Sequence, residues 1–180
     1  GFSSLLTDSD LTISEKRNLS DVLYKNSNDL LKLIENLIEI SEIETGQLTI
    51  KKSECNVNKL IDDLRTTFLS DDKKGKSVKL NVRREIKSED FTILTDSLRL
   101  KQILNNLISN ASKFTENGFI EFGYTFKDER TLMFYVIDTG IGIEPEKQKY
   151  IFNPFRQADD SNTRRFGGMG LGLAISKHLV

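Results

Sequence analysis

The chain has 180 residues, of which 26 are Lys or Arg and 27 are Asp or Glu, so its formal net charge is −1. This length allows one well-buried domain of ordinary size, or a smaller domain with a helical appendage. Because the charges nearly cancel, the chain lacks the basic face that general nucleic-acid binding requires, although a local basic pocket is compatible with this balance. We therefore expect no nucleic-acid partner.

The only cysteine, Cys55, allows no intramolecular disulfide and indicates a reducing compartment. The only histidine, His178, lies far away along the chain, so Cys55 is predicted to be a small buried or half-buried side chain rather than a nucleophile. No apolar run approaches the roughly 18 residues that span a bilayer, and no signal peptide is visible. These features predict a cytoplasmic location without direct membrane contact, and an inner-membrane anchor elsewhere in the parent protein stays open.

Residues 14–45 predict one long helix whose apolar side chains recur every three or four residues, as in a seam that packs against other helices. The seam consists of Leu19, Val22, Leu30, Leu33, Leu37 and Ile40, with Asn26 and Glu44 as polar exceptions. Ser14 is a weak N-cap and Gly46 is a good stop. Because such a helix cannot bury its seam alone, we expect a helical hairpin that dimerises, with residues 2–6 as the stub of a first helix that is mostly missing.

Beyond Gly46 the pattern is that of a mixed domain. Alternating apolar residues predict strands at 48–50, 78–82, 91–94, 120–126 and 132–137, and helical spacing predicts helices at 57–70 and 97–114. Strands separated by both turns and helices favour an α+β fold, a two-layer α/β sandwich. We expect a hairpin part at 1–46 and a sandwich part at 47–180. A last helix at 171–180 ends the chain, so both ends look like cuts in a longer protein.

The helix predicted at 97–114 carries an unusual polar face. Its core stripe is predicted to be Leu100, Leu104, Leu107, Ala111 and Phe114, and its polar stripe is Gln102, Asn106, Asn110 and Lys113. Asn is worse than Ala in a helix by roughly 0.5–0.7 kcal/mol per residue. The three asparagines Asn105, Asn106 and Asn110 are therefore a local cost that calls for a reason.

Two interpretations of these asparagines are open. In the functional one, Asn106 and Asn110 present amide oxygens one turn apart, and Lys113 adds a cation one turn further on. Since Mg²⁺ prefers oxygen ligands and completes its shell with waters and phosphates, this face would suit a metal–triphosphate. In the alternative, the amides only bond neighbouring loops.

A glycine loop follows the apolar strand that ends near Asp138. Gly140 and Gly142 allow positive φ and a close approach of the backbone to a ligand. Because Asp138 follows a buried strand, its carboxylate is expected to be only partly solvated and to need a donor. A purine exocyclic amine and a local backbone N–H are both candidates for that donor.

A second glycine-rich turn, at 165–172, opens the last helix. Successive free N–H groups and the positive helix end make such a turn an anion site. Its spacing matches neither the P-loop nor the dinucleotide-binding motif. Gly172 inside the helix should cost about 1 kcal/mol relative to Ala, so close packing is expected there. Upstream, Phe152 is expected to pack in the core, and the polar residues 158–166 are expected to form a mobile cover.

Taken in order, these motifs resemble the catalytic domain of sensor histidine kinases, within the ATPase superfamily that includes gyrase, Hsp90 and MutL. Residues 106–115 resemble the N box of that family, 138–142 its G1 box, 152–155 its F box and 168–172 its G2 box. The helix ending at Gly46 resembles the second helix of the dimerisation hairpin. The sequence Phe155-Arg156-Gln157 is similar to the F box of hybrid kinases, which carry receiver domains further along the chain.

The resemblance implies a role for each matching residue. Asn110 would ligate Mg²⁺, and Asn106 would act in catalysis by holding a water or orienting the γ-phosphate of ATP. Lys113 would contact phosphates, Phe114 would flank the adenine, and Asp138 would accept from its amino group. The remaining nucleotide-binding positions would be Gly140, Gly142, Ile143, Gly168, Gly170, Leu171 and Gly172. ATP, a second copy of the chain and a response-regulator receiver domain are the implied partners.

Three departures from the family pattern stand out. The phosphoacceptor histidine of the family lies before the start of this chain, and His178 cannot replace it. Met169 stands where the family has a small or hydroxyl residue. The closing strands after the last helix are missing. We therefore expect a piece that binds ATP but does not autophosphorylate.

The competing hypothesis is a nucleotide-sensing, inactive relative that acts as a binding module, for which Met169 is the only support. A MutL-like ATPase would have Glu where Asn106 stands, and a serine-directed anti-sigma kinase would lack the long first helix. A purely structural coiled coil would leave the asparagines and both glycine turns unexplained.

Overall fold

The computed structural model describes residues 12–70, 77–156 and 170–180. The chain divides into two compact units, Gly1–Leu48 and Thr49–Val180. Among the described residues, no helix is both long and apolar enough to cross a membrane. Gly168, which was expected to shape the second glycine turn, lies outside the described residues. So do Met169, which departs from the family pattern, the predicted stub at 2–6 and the predicted cover at 158–166.

The first unit contains the helix α1 (Ile13–Glu44). The expected cap at Ser14 is wrong, because Thr12 is the N-cap and forms a capping box with Glu15. The helix ends as predicted, with Gly46 at φ 68°, a conformation that glycine adopts without strain. Three seam residues, Val22, Leu30 and Leu37, are exposed at 47, 59 and 40%. Dimerisation through this seam stays a prediction.

The second unit contains five strands and four helices among its described residues. In chain order these are β1 (Ser53–Asn56), α2 (Val57–Ser70), β2 (Ser77–Arg84), β3 (Thr92–Thr95), α3 (Ser97–Phe114), β4 (Asn117–Asp128), β5 (Thr131–Asp138), α4 (Pro145–Gln148) and α5 (Gly172–Leu179). Strands β2, β4 and β5 form one sheet in that spatial order, and β1 pairs with β3 separately. The β2–β4 pair is parallel, and the other two pairs are antiparallel.

The strand predicted at 48–50 is wrong. Residues 48–50 form neither strand nor helix, and the backbone N–H groups of Gln47 and Leu48 both donate to the Glu42 carbonyl oxygen at the end of α1. A strand forms later, at Ser53–Asn56, and pairs residue by residue with Thr92–Thr95. Its sequence, Ser-Glu-Cys-Asn, has no apolar alternation that could have revealed it.

One hydrophobic core joins the helices to the sheet. It contains Leu60, Ile61 and Leu64 of α2, Leu104 and Ile108 of α3, and Phe122 and Tyr124 of β4, together with Cys55 and Val57. The two helices therefore share one layer and the sheet forms the other, which confirms the predicted two-layer α+β sandwich. Cys55 is 4% exposed, and burial raises the pKa of its thiol, as expected for a small buried side chain.

The predicted core stripe of α3 is partly wrong in phase. Leu104 and Ala111 are buried as expected, but Ile108 is the third buried residue. Leu107 and Phe114 are only half-buried, although α3 packs against α5 as well as against the sheet. The helix therefore has one fully buried line and a partly covered flank on which the site residues lie.

Candidate functional site

The candidate site is built on α3, whose start is held by a charged cap. One carboxylate oxygen of Asp96 accepts from the backbone N–H of Arg99 at 3.1 Å, and the other accepts from that of Lys51 at 2.9 Å. These hydrogen bonds, the one from Lys51 first, lower the pKa of the Asp96 carboxyl. The cap ties the segment before β1 to the helix and fixes where α3 begins.

Asn106 lies on the flank of α3 that faces α5. Its amide nitrogen is 3.1 Å from the Gly172 carbonyl oxygen and 3.2 Å from Ser176 Oγ. A Cβ on Gly172 would lie 3.2 Å from Asn106 Cγ, so the expected close packing of Gly172 is confirmed, with Asn106 as its neighbour. The interpretation in which the asparagines bond neighbouring segments therefore holds for the nitrogen side of this amide.

Asn110 and Lys113 follow Asn106 along the same helix and are both half-buried. The Lys113 ammonium lies 4.8 Å from the centre of the Phe114 ring, and burial lowers the pKa of the ammonium. A cation near the C-terminal end of a helix is favourably placed relative to the helix dipole. The end of α3 therefore offers an amide, a partly desolvated cation and an aromatic ring within two turns.

The loop after β5 is attached to this helix end through its backbone. The Ile141 N–H donates to the Phe114 carbonyl oxygen at 3.3 Å. A Cβ on Gly140 would lie 2.5 Å from that same oxygen, so only glycine fits there. Thr139, which the sequence interpretation did not single out, accepts from the Phe119 N–H at 2.9 Å and holds the loop to the start of β4.

Asp138 differs from its prediction in one respect. Its side chain is exposed, and the expected partial desolvation is wrong because β5 is the last strand of its sheet among the described residues. Of the two donors left open by the sequence, the local one is present, since the Gly140 N–H donates to Asp138 Oδ1 at 2.8 Å. A carboxylate has two oxygens and several lone pairs, so Oδ2 can accept from a ligand as well.

Gly142 and Ile143 form the exposed tip of the same loop. Gly142 has φ 70°, as expected for a glycine turn, and Ile143 is 41% exposed. The Gln148 side chain donates to the Ile143 carbonyl oxygen at 2.9 Å. This bond ties the loop to α4, which the sequence interpretation did not predict.

The segment before α5 contains two exposed aromatics. Core packing of Phe152 is wrong: the ring is 38% exposed, and the Lys177 ammonium lies 5.9 Å from its centre. The Phe155 N–H donates to the Gly170 carbonyl oxygen at 3.2 Å, and Gly170 has φ 68°. Leu171, expected among the nucleotide-binding positions, is 1% exposed and anchors the start of α5 in the interior.

The charged groups of the described ranges do not form a metal site by themselves. Within residues 12–70, 77–156 and 170–180, no group of three or more His, Cys, Asp or Glu side chains could hold a metal ion. A divalent cation at the end of α3 would therefore have to share a neutral amide oxygen with ligands that a bound molecule brings. Phosphate oxygens and water are such ligands for Mg²⁺.

The helix α3 thus connects to two separate chain segments. Asn106 contacts Gly172 at the start of α5, and the Phe114 carbonyl oxygen holds Ile141 in the loop after β5. Amides, a lysine, an exposed carboxylate and glycine backbone are brought to one helix. Such a set can bind a phosphorylated molecule that also carries a hydrogen-bond donor.

Comparison with known proteins identifies similar chains. Residues 95–180 match the family described as histidine kinase-, DNA gyrase B-, and HSP90-like ATPases. The chain is 35% identical to the signal transduction histidine-protein kinase BarA of Escherichia coli (strain K12), over 188 residues that cover 100% of this chain and 20% of BarA. It thus spans about a fifth of the length of this curated relative.

Two solved structures are similar in both sequence and fold. The catalytic domain of histidine kinase ThkA, in a nucleotide-free form, has 30% identity and a TM-score of 0.59, covering 72% of this chain and 81% of that one. Full-length ShkA in complex with AMPPNP has 27% identity and a TM-score of 0.76, covering 97% of this chain and 35% of that one.

Proposed function

Because residues 95–180 belong to the histidine kinase-, DNA gyrase B-, and HSP90-like ATPases, we propose that the chain is the ATP-binding catalytic region of a hybrid sensor histidine kinase. The parent protein would transfer the γ-phosphoryl group of ATP to a histidine in two-component signal transduction. The observation that carries the proposal is the convergence on α3, where the middle of the helix contacts the start of α5 through Asn106 and its C-terminal end contacts the loop after β5 through Phe114. The similarity to ShkA, which is complexed with AMPPNP, supports ATP as the ligand.

The adenine end of ATP is assigned to the loop after β5. Asp138 is exposed, and only its Oδ1 is used by the Gly140 N–H, so Oδ2 would accept from the exocyclic amine of adenine. The Phe114 ring, half-buried at the end of α3, would flank the base. Gly140, Gly142 and Ile143 would line the same side through backbone and a partly exposed apolar side chain.

The phosphate end is assigned to the flank of α3 and the start of α5. Burial lowers the pKa of the Lys113 ammonium, so a phosphate beside it would stabilise the charged form. Gly168, Gly170 and Gly172 would shape the turn around the phosphates. Since phosphoryl transfer depends mainly on positioning and on neutralising charge, these residues would act by holding the γ-phosphate in place.

The residues also fit Mg²⁺. The end of α3 offers a neutral amide oxygen at Asn110, and no carboxylate cluster in the described part of the chain competes for the ion. Mg²⁺ is typically bound through few protein oxygens together with substrate phosphates and waters. Asn110 would be its protein ligand, and the bound ion would supply charge neutralisation. Asn106 would hold a water or orient the γ-phosphate.

The proposal extends to the protein as a whole. Residues 1–46 would form part of a dimerisation hairpin and 47–180 the ATP-binding domain, with a homodimer formed through the exposed seam of α1. A receiver domain would take the phosphoryl group onward, and the location would be cytoplasmic. The piece alone should not autophosphorylate, because its only histidine, His178, lies on α5 with Nδ1 2.8 Å from the Ala174 carbonyl oxygen.

A substitution at Asn110 tests the metal-dependent part of this assignment. Asn110→Ala should weaken binding of a non-hydrolysable ATP analogue at least about tenfold with Mg²⁺ present, the scale for a bond to a charged group. The matched control is Asn105→Ala, the same change one residue earlier on the same helix, which should bind like the unchanged protein. An equal loss with Mg²⁺ and with EDTA would contradict the metal role of Asn110.

A further inference from the structure

Ser176 lies one turn into α5 and contacts the flank of α3 that carries Asn106. The serine is 4% exposed. Its hydroxyl donates to the Gly172 carbonyl oxygen at 2.8 Å, and its oxygen lies 3.2 Å from the amide nitrogen of Asn106. The resemblance to sensor histidine kinases assigned no role to this residue.

The donors and acceptors at this contact determine the orientation of the Asn106 amide. The Gly172 carbonyl oxygen can only accept, and the single hydroxyl proton of Ser176 is already directed to it. Ser176 Oγ is therefore an acceptor towards Asn106. Both partners of Asn106 require N–H donors, so the two hydrogens of the amide nitrogen are used and neither partner engages Oδ1.

Gly172 supports the same orientation from a second direction. A Cβ at this position would lie 3.2 Å from Asn106 Cγ and 3.3 Å from Asn106 Oδ1, closer than an ordinary contact. The amide plane is thus packed against the backbone of α5 as well as hydrogen-bonded to it. The terminal torsion of an asparagine is otherwise broad, so its direction here depends on α5.

We propose that Ser176 is a positioning residue of the nucleotide site, which acts through Asn106. By accepting one amide hydrogen, it holds Asn106 with Oδ1 turned to the position assigned to a water or to the γ-phosphate. The inference rests on the proposed function, because it takes Asn106 as a γ-phosphate residue. A serine that bonds only the carbonyl four residues earlier would be an ordinary feature of a helix; the contact with Asn106 sets this one apart.

The first test needs no nucleotide. The side-chain N–H signals of Asn106 can be followed by NMR in the full chain. They are assigned as the signals that disappear in Asn106→Ala. Ser176→Ala should shift these signals and speed their hydrogen exchange about three- to tenfold, the scale of one hydrogen bond. The matched control, Ser109→Ala on the exposed face of α3, should leave them unchanged. Unchanged Asn106 signals in Ser176→Ala would overturn the proposal.

The second test measures the consequence for binding. Ser176→Ala should weaken a non-hydrolysable ATP analogue with Mg²⁺ about three- to tenfold, and should leave ADP with EDTA unchanged because ADP has no γ-phosphate. In an Asn106→Ala background the same change should have no further effect. An equal loss in both backgrounds would show a merely structural role and overturn the proposal.

Gly172→Ala gives an independent variant of the same device. Alanine is favoured over glycine inside a helix, so the protein should stay folded while the added methyl pushes on the Asn106 amide, and binding of the ATP analogue should fall. Full affinity in this variant would count against the proposal. If the unchanged protein binds no ATP analogue, the proposed function fails, and the NMR comparison still decides whether Ser176 orients Asn106.

Discussion

Gly140→Ala should disrupt the loop after β5 through one backbone contact. The added Cβ would lie 2.5 Å from the Phe114 carbonyl oxygen and 2.9 Å from Asp138 Oδ1. Carbon and oxygen atoms that are not bonded usually stay at least about 3.3 Å apart, so the loop would have to move by roughly 0.8 Å relative to α3. That movement stretches the bond from the Ile141 N–H to the same carbonyl, which is already 3.3 Å long.

Overpacking of this kind costs about 1–3 kcal/mol. If the loop keeps its position, the cost should appear as a lower free energy of unfolding in urea. If the loop moves instead, it should appear as weaker binding of an ATP analogue, where about 1.4 kcal/mol corresponds to a tenfold change in affinity. For the urea measurement Gly142→Ala is the matched control, because it has no heavy atom within 4 Å of its added Cβ and carries only the strain of a positive φ. If Gly140→Ala kept both the stability and the affinity of the unchanged protein, the argument from the Phe114 contact would be refuted.

Three further predictions follow from single contacts. Tyr124→Phe should lower the free energy of unfolding by about 1–3 kcal/mol, because the buried Tyr124 hydroxyl donates to Asn58 Oδ1 at 2.8 Å. The control Tyr135→Phe, at a more exposed position, should cost less than about half as much. Equal losses of the two variants in urea unfolding would contradict this. Asp96→Asn should cost about 1 kcal/mol near neutral pH, because hydrogen bonds to a charged acceptor are stronger than bonds to a neutral one by about that much. The lowered pKa of Asp96 stabilises the fold above the ordinary value of 3.8, and this effect is lost as pH falls through the lowered value. The two proteins should therefore become equally stable in acid, and a difference that persisted there would exclude the charge as the cause. Asp138→Asn should weaken binding of an ATP analogue by roughly 1.5–3 kcal/mol, and unchanged affinity in calorimetry would remove Asp138 from the adenine site.

The helices that form the core layer could be predicted from the sequence because their local signals agree. α2 and α3 begin and end where the apolar spacing placed them, at Val57–Ser70 and Ser97–Phe114. The structure adds Asp96 as the N-cap of α3, a residue that the sequence analysis did not single out. Short strands carry less information: Ser53–Asn56 pairs along four residues and has no alternating pattern to detect.

The contacts between distant segments could not be predicted in detail. The pairing of Asn106 with Gly172 and Ser176 joins residues 66 and 70 positions apart, and only the packing of α5 on α3 creates it. The excess of asparagines predicted that this helix face either binds a ligand or bonds neighbouring segments. The glycine inside α5 predicted close packing. The sequence does not show how α5 packs on α3. This packing also places Lys177 of α5 beside the ring of Phe152, which lies at the surface.

The central claim, that this chain binds ATP through the end of α3, is tested most directly by calorimetric titration with a non-hydrolysable ATP analogue, with and without Mg²⁺, on a sample whose folding is verified by circular dichroism. The account predicts saturable binding that is tighter with Mg²⁺ and weaker in Asp138→Asn. A folded sample that binds the analogue in neither condition would contradict it.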